Sequence, residues 1–202
     1  TGGMGAYSPA PVVSDEIHAR IMEQVILPTV QGMADDGNEY LGFLYAGLMI
    51  SPEGEVNVVE FNCRFGDPEA QPVMLRLQSD LPELCLAAME RRLNEVEASW
   101  DPRPAVGVVL AAGGYPLEYS KGDVISGLNQ AGGPERKIFH AGTVEKDGLI
   151  LTNGGRVLCA TALGDTVSAA QAAAYELAAQ IDWPDLYYRK DIAYRAIARE
   201  NS

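Results

Sequence analysis

Positive charge is scarce in this sequence. Only 15 of its 202 residues are Lys or Arg, against 28 Asp and Glu, so the formal net charge is -13. A chain with this balance has no long-range attraction for a nucleic-acid backbone, which disfavours nucleic-acid binding. An anionic substrate would need a local source of positive charge, either a metal ion or a few placed Arg and Lys residues.

Cysteines and long apolar runs are also scarce. The three cysteines, Cys63, Cys85 and Cys159, are far apart and have no metal-ligand spacing, so neither a disulfide framework nor a zinc site is predicted. Reduced thiols indicate the cytoplasm. The sequence has no apolar run long enough to span a membrane and no pattern typical of a signal peptide, so we expect no membrane partner.

The remaining composition is that of a folded globular protein, with 47% hydrophobic and 21% charged residues. The length allows one large domain or two small ones. Two prolines and a tryptophan interrupt the apolar pattern at residues 100–104 (WDPRP). We therefore predict two domains, covering residues 1–100 and 101–202.

The first half is predicted to contain helices and one hairpin. Apolar residues recur at helical spacing over residues 14–37, and Pro28 is expected to kink or divide that helix. Two apolar strands joined by a Pro-Gly turn predict an antiparallel hairpin, over residues 40–50 and 56–61. A second helix, over residues 84–96, follows a capping box.

The second half is predicted to be a small α+β unit. Strands are expected over residues 105–112, 137–144, 149–153 and 156–162, and helices over residues 166–181 and 190–200. The helix over residues 166–181 is rich in alanine, whose small side chain lets a helix lie close to a sheet. We expect this helix to contribute packing rather than a site.

Oxygen ligands and charge are concentrated at residues 60–69 (EFNCRFGDPE). Because side chains two apart on a strand point the same way, Glu60 and Asn62 should share one face, with Arg64 if the chain stays extended. Magnesium takes hard oxygen ligands and often only one or two from protein. A magnesium-phosphate site is therefore one interpretation, and a surface ion pair of Glu60 with Arg64 is the other.

The run at residues 64–72 (RFGDPEAQP) resembles the signature of glycinamide ribonucleotide synthetase, also called phosphoribosylamine-glycine ligase. The agreement extends, in order along the chain, through residues 1–9, 42–49, 111–116 and 152–157. The blocks lie in both halves of the sequence.

The resemblance implies an α+β fold: part of an ATP-grasp domain with antiparallel sheet and helices, then a small α+β carboxy-terminal domain. It implies a ligase of purine biosynthesis that uses ATP, glycine and 5-phosphoribosylamine. Glu60 and Asn62 match the family's ligands for Mg²⁺ (or Mn²⁺). Arg64 would steady the γ-phosphate and the acyl phosphate, where a planar cation meets developing negative charge. Asp67 would help to hold an amine.

Glycines are concentrated at the start of the chain, where Gly2, Gly3, Met4 and Gly5 follow one another. Glycines let a backbone approach a substrate closely and direct N–H groups at anionic oxygens. The other interpretation is a plain flexible turn. The resemblance favours a substrate-binding loop.

Two departures from the family's pattern open further hypotheses. Many ATP-grasp enzymes have a metal-binding Glu at the place of Gly47, so a second metal is in doubt. The resemblance also implies that the chain starts inside the ATP-grasp domain, without the amino-terminal part that grips the nucleotide. The chain could therefore be a non-catalytic folding or interaction module that needs this missing part. A third hypothesis, a carboxylase relative, is opposed by the run at residues 64–72.

Overall fold

The computed structural model describes residues 2–130 and 132–200, which divide into two compact units. The first unit contains residues 2–9, 67–76 and 101–200, and the second contains residues 10–66 and 77–100. The predicted domains at residues 1–100 and 101–202 stay a prediction.

Helices and strands are both present in each unit. The helices are α1 (Asp15–Ile21), α2 (Leu27–Asp35), α3 (Ala70–Arg76), α4 (Leu81–Met89), α5 (Val167–Ala178) and α6 (Tyr194–Glu200). The strands are β1 (Gly5–Ser8), β2 (Tyr45–Ile50), β3 (Val56–Asn62), β4 (Ala105–Ala111), β5 (Arg136–His140), β6 (Thr143–Lys146), β7 (Leu149–Thr152) and β8 (Arg156–Leu163). The described residues also form a π-helical segment, Met22–Ile26, and two 3-10 segments, Leu93–Glu95 and Leu128–Gln130.

The first unit is built on an antiparallel sheet with the strand order β1-β4-β8-β5. Every residue of β4 is buried. Helix α5 packs against Val106 and Val108 on one face of β4. Gly107 lies between them in the sequence and faces α3, since a Cβ on Gly107 would lie 3.5 Å from Pro72 Cδ. Successive strand residues face opposite sides, so α3 and α5 cover the two faces. This explains why β4 is a continuous apolar run rather than an alternating one.

The alanine-rich helix α5 packs as the sequence predicts. Ala170 and Ala174 are fully buried against the sheet. Thr166 caps the helix by accepting a hydrogen bond from the Ala169 amide at 3.1 Å. The Glu200 carboxylate of α6 accepts another from the Val167 amide, at 2.8 Å.

The second unit contains the hairpin of β2 and β3, which is exposed on both faces. Met49 and Val59 are each 65% exposed, and Phe61 is 43% exposed. Helix α1 begins where predicted, since the Ser14 hydroxyl accepts a hydrogen bond from the Ile17 amide at 3.3 Å.

Several predicted boundaries are wrong, each for a local reason. The strand predicted from residue 40 begins at Tyr45, because residues 40–44 include Gly42 at φ 145°. The second helix ends at Met89 and is followed by a turn with Arg91 at φ 59°, a left-handed conformation that no α-helix continues through.

Two further differences concern interruptions within elements. The first helix is divided as expected, but by the π-helical segment Met22–Ile26 rather than at Pro28. Pro28 lies in the first turn of α2, where the backbone N–H that proline lacks would have no partner within the helix. The strand predicted over residues 137–144 is two strands separated by Ala141 and Gly142. Strand β1 and helix α3 were not predicted.

Candidate functional site

Glu60 and Asn62 lie on the same side of β3, as their spacing predicts. The Asn62 side-chain amide donates a hydrogen bond to Glu60 Oε1 at 3.1 Å. Glu60 is exposed and Asn62 is half-buried at the end of the strand. The pair therefore presents a carboxylate and an amide oxygen, the hard donors that Mg²⁺ and Mn²⁺ prefer.

A β-bulge re-aims the strand immediately before this pair. Gly47 lies opposite Glu60 and Leu48 lies opposite Val58, so Val59 is the extra residue. A Cβ on Gly47 would lie 3.0 Å from Glu60 Cγ, which is closer than an ordinary contact. The absence of a side chain at position 47 thus leaves the space that the Glu60 side chain uses.

Arg64 lies beyond the strand, because β3 ends at Asn62. Its guanidinium donates to the carbonyl of Phe65 at 2.8 Å, and the side chain is exposed. The Phe65 ring packs on the Phe43 ring with centroids 4.0 Å apart, which fixes the loop. The condition for Arg64 to share the strand face, an extended chain, is not met.

Asp67 belongs to the first unit, where it pairs with Arg156 of β8. Arg156 Nη2 donates to Asp67 Oδ2 at 2.8 Å, and Nη1 donates to the Asp67 carbonyl at 2.9 Å. The same Nη1 donates to the carbonyl of Gly3 at 3.2 Å. Gly3 has a φ of +78°, and a Cβ there would lie 2.8 Å from Nη1, so only glycine fits. One guanidinium thus joins Asp67 to the loop formed by residues 2–5, the glycine loop.

Arg156 is the residue of this arrangement that the sequence did not single out. It lies in the block at residues 152–157 that carries the family resemblance, and that block was the available signal. Its partners are 89 and 153 positions away in the sequence, so no local pattern predicts the contacts.

The glycine loop lines a cavity of about 430 Å³ in the first unit, together with Tyr7 and residues 189–195. Met4 is 3% exposed and packs with Val109 and Cys159 beneath the loop. Burial raises the pKa of the Cys159 thiol to about 12, so this thiol is protonated at neutral pH.

Within residues 2–130 and 132–200, no group of three or more His, Cys, Asp or Glu side chains could hold a metal ion. A cation at Glu60 and Asn62 would therefore need ligands from water or a substrate, which suits Mg²⁺ with a nucleotide. In the same part of the chain, no helix is long and apolar enough to cross a membrane.

The fold is that of ATP-grasp enzymes. The chain matches the crystal structure of a phosphoribosylamine–glycine ligase from Thermotoga maritima with a TM-score of 0.82 and 36% identity, over 96% of this chain and 47% of that one. It also matches the biotin carboxylase domain of a 2-oxoglutarate carboxylase from Hydrogenobacter thermophilus with a TM-score of 0.65. That identity is 12%, over 93% of this chain and 43% of that one, so the likeness is one of fold alone.

Sequence comparisons are more specific. The family model for the ATP-grasp (A) domain of phosphoribosylglycinamide synthetase matches residues 1–70, and the model for its C domain matches residues 105–195. A phosphoribosylamine–glycine ligase from Vibrio parahaemolyticus is 66% identical over 99% of this chain and 47% of the relative. One from Pseudomonas aeruginosa is 64% identical, also over 99% of this chain and 47% of the relative.

The chain belongs to the phosphoribosylamine–glycine ligase family, and it spans about half the length of the curated relatives it matches.

Proposed function

We propose that this chain carries the metal- and phosphate-binding part of an ATP-dependent ligase that joins glycine to 5-phosphoribosylamine. The products would be glycinamide ribonucleotide, ADP and phosphate, formed through glycyl phosphate. The observation that carries the proposal is the pair of Glu60 and Asn62 on one side of β3, joined by a hydrogen bond, in a chain of this family. The likeness of fold to carboxylases does not support a carboxylase activity for this chain, because one fold is shared by enzymes of many activities.

Glu60 and Asn62 would hold Mg²⁺ or Mn²⁺, and their oxygen donors fit such an ion. A bound divalent ion supplies neutralisation of the charge on transferring phosphate oxygens. The Asn62 amide donates to Glu60, which orients the carboxylate and leaves the amide oxygen as a ligand. The exposed position of Glu60 at the end of β3 gives a nucleotide access to the pair.

Arg64 would bind the γ-phosphate and then the acyl phosphate. Its guanidinium is bound to the Phe65 carbonyl through one N–H, and a guanidinium has five, so donors remain for phosphate oxygens. Asp67 would orient a substrate amine while Arg156 fixes its carboxylate. The glycine loop would contact substrate through its backbone. No protein nucleophile is needed, since the reaction depends on positioning and charge neutralisation.

The variant Glu60→Ala tests this function in the complete gene product. Glycine-dependent formation of ADP should fall by orders of magnitude, because one of two protein ligands is lost. Glu53→Ala, which removes an exposed carboxylate in the turn of the same hairpin, should retain wild-type turnover. Turnover near wild type in Glu60→Ala would show that Glu60 does not bind the metal.

A second candidate function is a non-catalytic module that associates with the part of the enzyme that this chain does not span. It is favoured by the exposed apolar side chains on both faces of the β2–β3 hairpin, Met49, Val59 and Phe61 among them. Titration of the 202-residue chain with Mg-ATP separates the two candidates. Micromolar affinity contradicts the module, and no binding of Mg-ATP by this chain alone supports it.

The cytoplasm is the proposed location of the enzyme. All three cysteines are free, as expected in a reducing compartment. The small-molecule substrates named above are its proposed partners, and nucleic acid is not among them because of the net charge of -13.

A further inference from the structure

The cavity beside the glycine loop is lined by that loop and by a segment that carries two arginines. Residues 2–5 and Tyr7 form the first part of this lining, and residues of the segment 189–195 form the second. Its volume of about 430 Å³ falls within the range of small-molecule sites.

The side chains of this cavity carry a net positive charge in an acidic protein. Arg189 and Arg195 contribute two guanidinium groups, and Asp191 contributes one carboxylate. Asp191 accepts from Arg189 Nε at 2.7 Å and from its Nη2, which engages two of the five N–H donors. The remaining donors of both arginines are available to an anion, in a chain whose overall charge of -13 repels one.

Neighbouring tyrosines and helix α5 fix the arginine-bearing segment. The Tyr194 hydroxyl accepts from Arg195 Nε at 2.9 Å. The Tyr175 hydroxyl donates to the Arg189 carbonyl at 2.7 Å and accepts from the Ile192 amide at 3.0 Å. Gln171 Nε2 donates to the Ile192 carbonyl at 2.6 Å. A segment fixed at these points loses little conformational entropy when it binds a ligand.

We propose that this cavity binds the phosphate monoester of a small sugar phosphate, with Arg189 and Arg195 as the phosphate anchors. This inference rests on the proposed function, in which 5-phosphoribosylamine is the substrate that carries such a group. Planar guanidinium groups match phosphate oxygens in geometry as well as in charge.

The chemistry of the cavity favours a monoester over the other anionic substrates. Among the described residues that line the cavity, the one carboxylate, Asp191, is paired with an arginine, so the cavity neutralises an anion with guanidinium groups rather than through a metal. A triphosphate needs a divalent ion, for which Glu60 and Asn62 are the proposed ligands. Glycine carries a single carboxylate charge and is much smaller than the cavity, whereas a phosphate monoester carries about -1.5 to -2 at neutral pH.

Binding of ribose 5-phosphate to the complete gene product, measured by calorimetry, tests the proposal without turnover. The variants Arg189→Met and Arg195→Met should each weaken binding about 10- to 100-fold, because each removes charge-assisted hydrogen bonds. Arg195→Lys should lie between Arg195→Met and wild type, since it keeps the charge without the fork. Ribose without phosphate should bind far more weakly than ribose 5-phosphate.

Arg136→Met is the matched control, since Arg136 lies on β5, outside the cavity lining, and pairs with Glu176 at 3.8 Å. It should bind ribose 5-phosphate as wild type does, and circular dichroism should show all the variants to be folded. Equal affinity for ribose 5-phosphate in folded Arg189→Met, Arg195→Met and wild type overturns the proposal. So does equal binding of ribose and ribose 5-phosphate.

Initial rates separate this inference from the proposed function. If the gene product forms ADP with glycine and 5-phosphoribosylamine, the two methionine variants should raise KM for the amine and leave KM for glycine unchanged. An unchanged KM for the amine overturns the cavity assignment and leaves the ligase function intact. Arginine-dependent binding of ribose 5-phosphate without any ADP formation supports the cavity and contradicts the ligase function.

Discussion

Arg156 Nη2 lies 2.8 Å from Asp67 Oδ2, and Nη1 of the same guanidinium donates to the carbonyls of Asp67 and Gly3. This side chain is 26% exposed and joins β8, the residue before Pro68, and the glycine loop. Asp67, which the family resemblance assigns to amine binding, is thus oriented by a partner from a distant part of the sequence. We therefore predict that Arg156 is a positioning residue, which acts through Asp67 and the loop.

Replacing Arg156 by lysine should misplace both partners. Lysine keeps the charge but lacks the planar guanidinium, so it cannot donate hydrogen bonds to Asp67 Oδ2 and to both carbonyls with the same geometry. In the complete gene product we expect KM for the amine substrate to rise about 10-fold, and the Arg156→Met variant to be worse. Initial-rate kinetics measure the split between KM and kcat. Wild-type kinetics in Arg156→Lys would show that the fork has no positioning role.

Adding a methyl group at Gly47 should weaken the metal site. A Cβ there lies 3.0 Å from Glu60 Cγ, so in Gly47→Ala the Glu60 side chain must shift. We expect the dissociation constant of Mn²⁺, measured by electron paramagnetic resonance with ATP present, to rise about 10-fold.

Gly32→Ala is the control for Gly47→Ala. A Cβ at Gly32 meets no atom within 4 Å, and the residue lies in α2. This variant should bind Mn²⁺ as wild type does and gain about 0.5–1 kcal/mol in unfolding free energy. If both variants bind Mn²⁺ equally well, the space at Gly47 does not matter to Glu60.

Removing the Tyr175 hydroxyl should loosen the arginine-bearing segment. In Tyr175→Phe the Arg189 carbonyl and the Ile192 amide each lose a partner. We expect the unfolding free energy to fall by about 1–3 kcal/mol and ribose 5-phosphate to bind more weakly. Tyr187→Phe removes a hydroxyl from a tyrosine that is 52% exposed in the neighbouring segment, and it should change neither quantity. Equal effects of the two substitutions would contradict a specific role for Tyr175.

Stability at alkaline pH should depend on Cys159. Burial raises the pKa of this thiol to about 12 in the folded protein, whereas an unfolded cysteine has a pKa of about 8.5. Above pH 8.5 the unfolded state therefore binds fewer protons, and stability is lost as pH rises towards 12. Over this window Cys159→Ala should lose about 1.4 kcal/mol less per pH unit than wild type. Urea unfolding at several alkaline pH values measures both slopes, and parallel slopes would contradict the assignment.

Local patterns were sufficient for much of the fold. The predicted starts of the helices at residues 14 and 166 are confirmed, because the Ser14 and Thr166 hydroxyls each accept a hydrogen bond from an amide three residues on. The predicted start of β2 and the predicted end of α4 were wrong, because positive-φ backbone at Gly42 and Arg91 interrupts those elements. Such backbone conformations depend on neighbours that the local sequence does not identify.

Sequence alone determined the family and the common side of Glu60 and Asn62, since the alternation of a strand is a local rule. Tertiary structure alone decided that Arg156 reaches Asp67 and Gly3, and that residues 189–195 meet the glycine loop around a cavity. The hydrogen bond of Arg156 with Gly3 alone joins residues 153 positions apart. These contacts depend on the β1-β4-β8 order and register of the sheet, which is set by burial on both its faces rather than by any segment by itself.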